Sequence, residues 1–155
     1  MKLRKYLQEE TVAQTGYRKP ITVSPTTSVH DAVAKMQTER VGCVLVVDQG
    51  TLVGIFTERD VLKRALELDC PTDTAVSELM TPKPLVAKES EPIHCVLGRM
   101  YSGGLRHLPV VNDAGQAIGT ISVKRVSSFI ADHFASAVYN LPPEPNQYGA
   151  SREGA

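Results

Sequence analysis

Leu52-Val53-Gly54-Ile55-Phe56-Thr57-Glu58-Arg59-Asp60 is an apolar run that ends in a threonine, with a carboxylate three residues later and an apolar-periodic stretch beyond it. The pattern predicts a buried strand that runs directly into a helix. Thr57 falls at the N-cap and Asp60 at the third helical position, so the two form a capping box that satisfies backbone N–H groups otherwise without partners. Taken alone, such a pair is a helix cap. The same turn also gathers N–H groups, a hydroxyl and a carboxylate at the positive end of a helix dipole. That combination suits a phosphorylated ribose, with donors for phosphate and an acidic acceptor for sugar hydroxyls.

The stretch occurs twice. Gly119-Thr120-Ile121-Ser122-Val123-Lys124-Arg125 repeats the glycine, the apolar strand end and the hydroxyl. Working outward, Lys19-Pro20-Ile21 matches Lys83-Pro84-Leu85, Met36 matches Met100, and Val46-Val47-Asp48 matches Val110-Val111-Asn112. The offset is 64 throughout and becomes 65 from Gly54 to Gly119, after one residue inserted in a turn. A long period present twice indicates two copies of one small module. Each copy is shorter than about 65 residues, a size at which a lone core is marginal, so the copies are expected to pack on each other.

In chain order, residues 2–13 read as a short helix with Leu3, Tyr6 and Leu7 on one side, closed by Gly16. Ile21-Thr22-Val23 is a short strand. Ser28 caps a helix with Asp31 three residues on, and Val29, Ala32, Val33 and Met36 form its buried stripe, repeated as Ile93, Val96, Leu97 and Met100. Cys43 to Val47 pairs with Leu52 to Phe56, and Leu108 to Val111 with Ala117 to Ile121; near-continuous hydrophobicity predicts burial of both faces of the first pair. A helix over Glu58–Leu68 is expected to bury Val61, Leu62 and Ala65, and a last helix runs from Val123 to Tyr139. Beyond Leu141 the proline-rich sequence predicts a disordered tail. The expected division is an N-terminal helix over 1–16, a first repeat over 17–70, a second over 71–138 and a tail over 139–155.

The 155 residues are 42% hydrophobic and 22% charged, as in an ordinary globule, and carry no formal net charge. Neutral charge and 5% aromatic residues argue against a nucleic-acid or anionic-membrane surface. Cys43, Cys70 and Cys95 are odd in number and lack C-x-x-C spacing, which fits reduced thiols in a cytoplasm; Cys43 and Cys95 lie in apolar runs and read as core residues. The N-terminus lacks the apolar segment of a signal peptide, and a soluble, cytoplasmic protein is expected. His30 and His94 occupy matching helix positions without ligand spacing, so no metal is expected. No G-x-S-x-G, H-E-x-x-H, Walker or G-x-G-x-x-G pattern is present, which leaves no enzyme class favoured.

The order strand–helix–strand–strand–helix, the turn Gly54-Ile55-Phe56-Thr57-Glu58-Arg59-Asp60, the lead-in Leu79-Met80-Thr81-Pro82 and the run Leu105-Arg106-His107-Leu108-Pro109-Val110-Val111 together resemble a tandem pair of CBS domains, a Bateman module. The resemblance extends from about Gly16 to Phe134. It implies an α/β (α+β) fold of two pseudo-twofold-related repeats, each β-α-β-β-α, packed as one disc-like module. It also implies two clefts that bind AMP, ADP, ATP or NAD without a metal, a homodimer formed through helices, and regulation of a separate target protein. Helix faces carrying Val61, Ala65, Phe129 and Ile130 are the expected dimer surface. No nucleic acid or membrane partner is implied.

Carried over by position, Thr57 and Asp60 hold the ribose in one cleft, with Ile21, Thr22, Val41, Gly42 and Cys43 around the adenine; Arg59, Leu85 and Pro109 join the ligand-binding set. In the second copy Ser122 keeps the hydroxyl but Arg125 stands in place of the carboxylate, where its fork suits phosphate oxygens. Val41-Gly42-Cys43 aligns with Leu105-Arg106-His107, so only the second copy has polar side chains at that strand mouth. By residue type these are a surface arginine and a partly buried histidine; with Lys124 and Arg125 nearby they become the expected phosphate end. A structural dimerisation module is the alternative class, and retention of Thr57 and Asp60 speaks against it.

Overall fold

The computed structural model describes residues 3–66 and 69–139, and among these the strands form two sheets. The first has the order β1 (Thr22–Val23), β2 (Cys43–Asp48), β3 (Thr51–Thr57), β4 (Thr81–Pro82); the second is β5 (Ala87–Lys88), β6 (His107–Val111), β7 (Ala117–Ser122). Helices α1 (Leu3–Glu9) and α2 (Val12–Thr15) precede β1, and α3 (Val29–Glu39) crosses from β1 to β2. After β3 comes α4 (Glu58–Asp60), continued as a π-helix over Val61–Leu66, then α5 (Val76–Leu79). In the second copy α6 (Ile93–Gly103) crosses from β5 to β6, and α7 (Val123–Tyr139) follows β7.

Local chemistry explains the repeated hairpins. β2 and β3 are antiparallel and turn through Gln49 and Gly50, both at positive φ, as a two-residue hairpin turn requires. The corresponding loop between β6 and β7, Asn112–Gln116, holds the inserted residue and is closed by the Gln116 N–H donating to Asn112 Oδ1 at 2.9 Å. Each hairpin carries a register shift at the matching place, Val46/Val47 and Val110/Val111.

The halves exchange their lead-in segments. β4 precedes the second copy in sequence but pairs with β3 of the first, Gly54 opposite Pro82 and Ile55 opposite Thr81. Val76 and Leu79 of α5 lie in the core built by Val29, Met36, Val46 and Phe56. In return, Val12 of α2 lies in the core of the second copy with Ile93, Met100 and Ile121. There the N–H of Arg18 donates to Thr120 O at 3.0 Å and the N–H of Thr120 to Arg18 O at 2.9 Å. The same bonds recur on both sides. Val12 N–H donates to Glu91 O (3.0 Å) and Ile93 N–H to Glu10 O (2.9 Å), while Val76 N–H donates to Thr27 O (2.7 Å) and Val29 N–H to Thr74 O (2.8 Å). This pairing of equivalent bonds is the signature of the pseudo-twofold.

Several expectations are corrected. The N-terminal helix is two helices, because Thr11 caps α2 in a capping box with Gln14 and starts a new helix there. That second helix belongs to the repeat, since Val12 matches Val76 at the same offset of 64. Cys95 is exposed, because the buried stripe of α6 runs through Ile93, Val96 and Met100 and leaves position 95 outside. Leu62 is 63% exposed, since the π-helix has more residues per turn and takes it off the α-helical stripe. Phe129 and Ile130, expected not to be fully buried, are indeed only half-buried, Phe129 against Tyr6 and Ile130 against the second core. The Ala65 side chain, the helix end through Leu68 and the tail from residue 140 lie outside the described residues.

The recurring glycines mark where each exchanged segment lands. A Cβ on Gly54 would collide with the Met80 side chain and lie 3.1 Å from Thr81 O; a Cβ on Gly119 would collide with the Tyr17 ring and lie 2.8 Å from Arg18 O. Gly98, inside α6, has open space around it. Gly54→Ala and Gly119→Ala are therefore expected to lower stability by about 1–3 kcal/mol through overpacking, Gly119→Ala more because backbone itself must move. Gly98→Ala should raise it by about 0.5–1 kcal/mol through helix propensity. Urea midpoints at unchanged m-value measure all three.

Candidate functional site

Exchange of the lead-ins creates two clefts where the halves meet. Cleft 1, about 970 Å³, lies between the lead-in Arg18–Ile21, the turn after α3 from Arg40 to Cys43, and the start of α7 at Ser122–Lys124. Cleft 2, about 480 Å³, lies between the lead-in Lys83–Leu85, the turn after α6 from Gly103 to Leu108, and the junction Thr57–Asp60. The two are pseudo-twofold counterparts: Lys19 and Lys83, Ile21 and Leu85, Val41 and Leu105, Ser122 and Thr57 occupy matching places.

The Thr57 capping box forms and faces cleft 2. The Thr57 N–H and hydroxyl each donate to Asp60 Oδ2 at 2.9 Å, and the Asp60 N–H donates to Thr57 Oγ1 at 3.3 Å. Asp60 is 7% exposed, which makes it one of the few buried polar residues described. Its other oxygen, Oδ1, lies 3.7 Å from Arg64 Nε, a loose contact that leaves it acceptor capacity. Arg64 itself is anchored by donating to the Leu79 and Met80 carbonyls, both at 2.9 Å. Arg59 reaches across the interface to donate to Gly104 O at 2.8 Å.

Gly42, Glu58, Arg106 and His107 line both clefts and form the wall between them. The His107 ring lies over Gly42, where a Cβ would meet Cε1 at 3.0 Å and Glu58 Oε2 at 3.5 Å. Burial, and then the Arg106 guanidinium, hold the His107 pKa below its ordinary value, and Glu58 opposes them. Burial and the Glu58 carboxylate push the Cys43 thiol up to about 12, so it is not a nucleophile at neutral pH.

The sequence-derived set divides differently from the expected grouping. Thr57, Arg59, Asp60 and Leu85 line cleft 2, whereas Ile21, Val41, Cys43 and Ser122 line cleft 1. Thr57 and Asp60 are therefore not in one pocket with Ile21, because the lead-in beside β3 is the one from the second copy. Thr22, Pro109 and Arg125 line neither cleft. Thr22 presents its carbonyl to Lys35 Nζ at 2.7 Å, and Pro109 is buried within β6. Arg125 turns away, its Nε donating to Thr15 O at 2.8 Å. Among residues not singled out, Lys19 and Lys83 had a visible signal, since they are the matching lysines of the repeat; Arg18 and Arg40 had none.

The CBS-domain family model matches residues 16–67 and 76–132. An uncharacterised 17.7 kDa protein of Acidianus ambivalens is 30% identical over 122 residues, which cover 78% of this chain and 73% of that protein. The chain spans only 17% to 22% of several longer curated relatives. Among solved structures, the CBS domain pair of protein MJ0100 in complex with 5′-methylthioadenosine and S-adenosyl-L-methionine is similar, with TM-score 0.73 and 26% identity over 80% of this chain and 98% of that one. CBSX2 in complex with AMP is similar with TM-score 0.70 and 29% identity, over 80% and 98%.

A lowered His107 pKa means that the unfolded state binds the proton more tightly. Stability is then present above the unfolded value of about 6.5 and is lost as pH falls through it toward the lower folded value. Urea midpoints should decline from pH 7 to about pH 5, and His107→Gln should flatten that decline relative to the parent protein.

Proposed function

The chain belongs to the CBS-domain family, and from that premise we propose that it is a regulatory module that binds an adenosine-containing ligand in cleft 2 without transforming it. The observation that carries this reading is the buried Asp60, a lining residue of cleft 2 joined to Thr57 at the strand–helix junction, with one oxygen in only a loose contact with Arg64. A ribose diol supplies two donors to that oxygen, and charge-assisted bonds of this kind are the stronger ones. Leu85, 50% exposed, and Leu105 offer an aliphatic surface for a flat base, a place where burial of apolar area is favourable. Lys83 and Arg106 lie where a 5′ substituent would carry its charge. The bound adenosine compounds named for the MJ0100 and CBSX2 structures share this base and sugar and differ at the 5′ position.

In this reading the module works in the cytoplasm, pairs with a second copy of itself and passes its ligand state to a separate target protein. Turnover is not part of it: the one thiol lining the clefts among the described residues is protonated at neutral pH, and the Thr57 hydroxyl, which donates to Asp60, also accepts the Asp60 N–H as the cap of its helix.

Calorimetry on nucleotide-stripped protein with AMP, ATP, NAD and S-adenosylmethionine tests the ligand class. Asp60→Asn keeps one acceptor for the cap and removes the charge, so it should weaken the bound ligand by about 1.5–3 kcal/mol, roughly 10- to 150-fold. Unchanged affinity in a folded Asp60→Asn protein overturns the ribose assignment, and no heat with any of the four ligands overturns the class. For self-association, sedimentation at tens of micromolar should give a dimer, a range typical of weak pairs.

A further inference from the structure

The geometry points to an aliphatic slot that continues cleft 1 between α3 and the π-helix and takes the hydrocarbon chain of a linear carboxylate. Val33, Met36 and Gln37 of α3 and Val61 and Leu62 of the π-helix line cleft 1 together. At the offsets of the repeat their counterparts are Leu97, Met100, Tyr101, Val126 and Ser127. None of these five lines cleft 2, which ends at the α6–β6 turn. Packing explains the difference. In the second half α6 and α7 close on each other, and Val126 is fully buried in one core with Ile93, Met100 and Ile121. In the first half the chain leaves α-helical geometry at Val61 for a wider turn. Val61 is then only partly buried, and Leu62 is 63% exposed.

An exposed leucine alone needs no explanation. Leu62 differs because it stands in an apolar row on the wall of a concave space of about 970 Å³, where the matching exposed position of the second half carries Ser127. Clefts with aliphatic walls and a few polar groups at one end are the usual form of small-molecule sites. The occupant follows from the lining. Val33, Met36, Val61 and Leu62 offer no donor or acceptor, and the exposed Gln37 is the one polar member of the row. A base or sugar there leaves most of its polar groups without partners, whereas an unbranched hydrocarbon chain asks only for apolar area. Met36, with its unbranched and rotatable side chain, adapts to such a chain. Elsewhere in the same cleft Lys19, Arg40 and Lys124 are exposed, and their side chains have no hydrogen-bond or ion-pair partner among the described residues. A carboxylate head on the chain meets one of these cations in a charge-assisted bond.

Hexanoate, octanoate, decanoate and octanol are titrated into the isotope-labelled chain, and backbone amide shifts are followed by NMR. Expected are shifts at residues 33–37 and 61–62 that saturate with decanoate below about 1 mM. Affinity should rise roughly tenfold for every two methylenes, and octanol should bind more weakly than octanoate. Leu62→Glu sets a charge on the slot and should cost decanoate at least tenfold, while Ser127→Glu, the matching change in the second half, should bind as the parent does. Both positions are exposed, so urea midpoints should stay at the parent value. Leu62→Ser, which copies the residue of the second half, should lose affinity in the same direction if the glutamate disturbs the fold. The proposal is overturned if decanoate moves no amide of the slot at about 1 mM, if affinity ignores chain length, or if octanol matches octanoate. It is equally overturned if both Leu62 variants bind as the parent does, or if Leu62→Glu converts a dimer to a monomer in sedimentation, which assigns the leucine to a second copy of the chain. The slot does not rest on adenosine binding in cleft 2. Asp60→Asn should bind decanoate as the parent does, and a chain that takes decanoate but no adenosine compound loses the reading of cleft 2 and keeps this one.

Discussion

Exchange of the two lead-in segments is the constraint on which the remaining structure depends. Each half of about 65 residues is too small to bury a core of its own comfortably. Val12 completes the second core and Val76 and Leu79 complete the first, so neither core is closed without chain from the other side. Backbone bonds of Arg18 with Thr120, and the β3–β4 pairing, fasten those segments to the edge strands. They also cover β3 and β7 edges that would otherwise present unpaired N–H and C=O groups. Gly54 and Gly119 are required for this reason: each lies directly beneath an arriving side chain and carbonyl.

The clefts are a consequence of the same exchange. A lead-in that lies beside the last strand of the opposite half brings its lysine and aliphatic residue next to that half's strand–helix junction. Lys83 and Leu85 thus face Thr57 and Asp60, while Lys19 and Ile21 face Ser122. Duplication supplied one plan, and divergence at a few positions made the two outcomes chemically different. Asp60 corresponds to Arg125, Gly42 to Arg106 and Cys43 to His107 across the pseudo-twofold. Arg106, His107 and Glu58 border both clefts, so the two share part of their charged lining.

The first strand–helix junction was legible because its chemistry is local. Thr57 and Asp60 lie three residues apart, and the capping box they form needs nothing beyond their own turn. The helix stripes Val29-Ala32-Met36 and Ile93-Val96-Met100 were legible for a like reason, since a 3.6-residue period marks a buried face whatever covers it. A local rule fails where the helix type changes: an α-helical count turns Leu62 inward, and the π-helix does not follow that count. Thr11 lies inside the apolar-periodic stretch of residues 2–13, yet its pairing with Gln14 makes it a cap.

From the sequence alone came the duplication, its offset, the matched glycines, the strand and helix order, and the family resemblance that the comparisons bear out. All of these depend on spacing along the chain, and spacing is written in the sequence. Which cleft each residue enters depends on which half it packs against, and the lead-in exchange reverses the answer that proximity along the chain suggests. Ile21 is nearer to Thr57 in sequence than to Ser122, yet it shares a cleft with Ser122. Arg125 stands at the carboxylate position by alignment but points to the Thr15 carbonyl, because α2 from the far end of the chain lies there with an unpaired C-terminal acceptor. Only the tertiary structure decides such matters, since the partner that orients each side chain comes from a segment some hundred residues away, 110 in the case of Arg125 and Thr15.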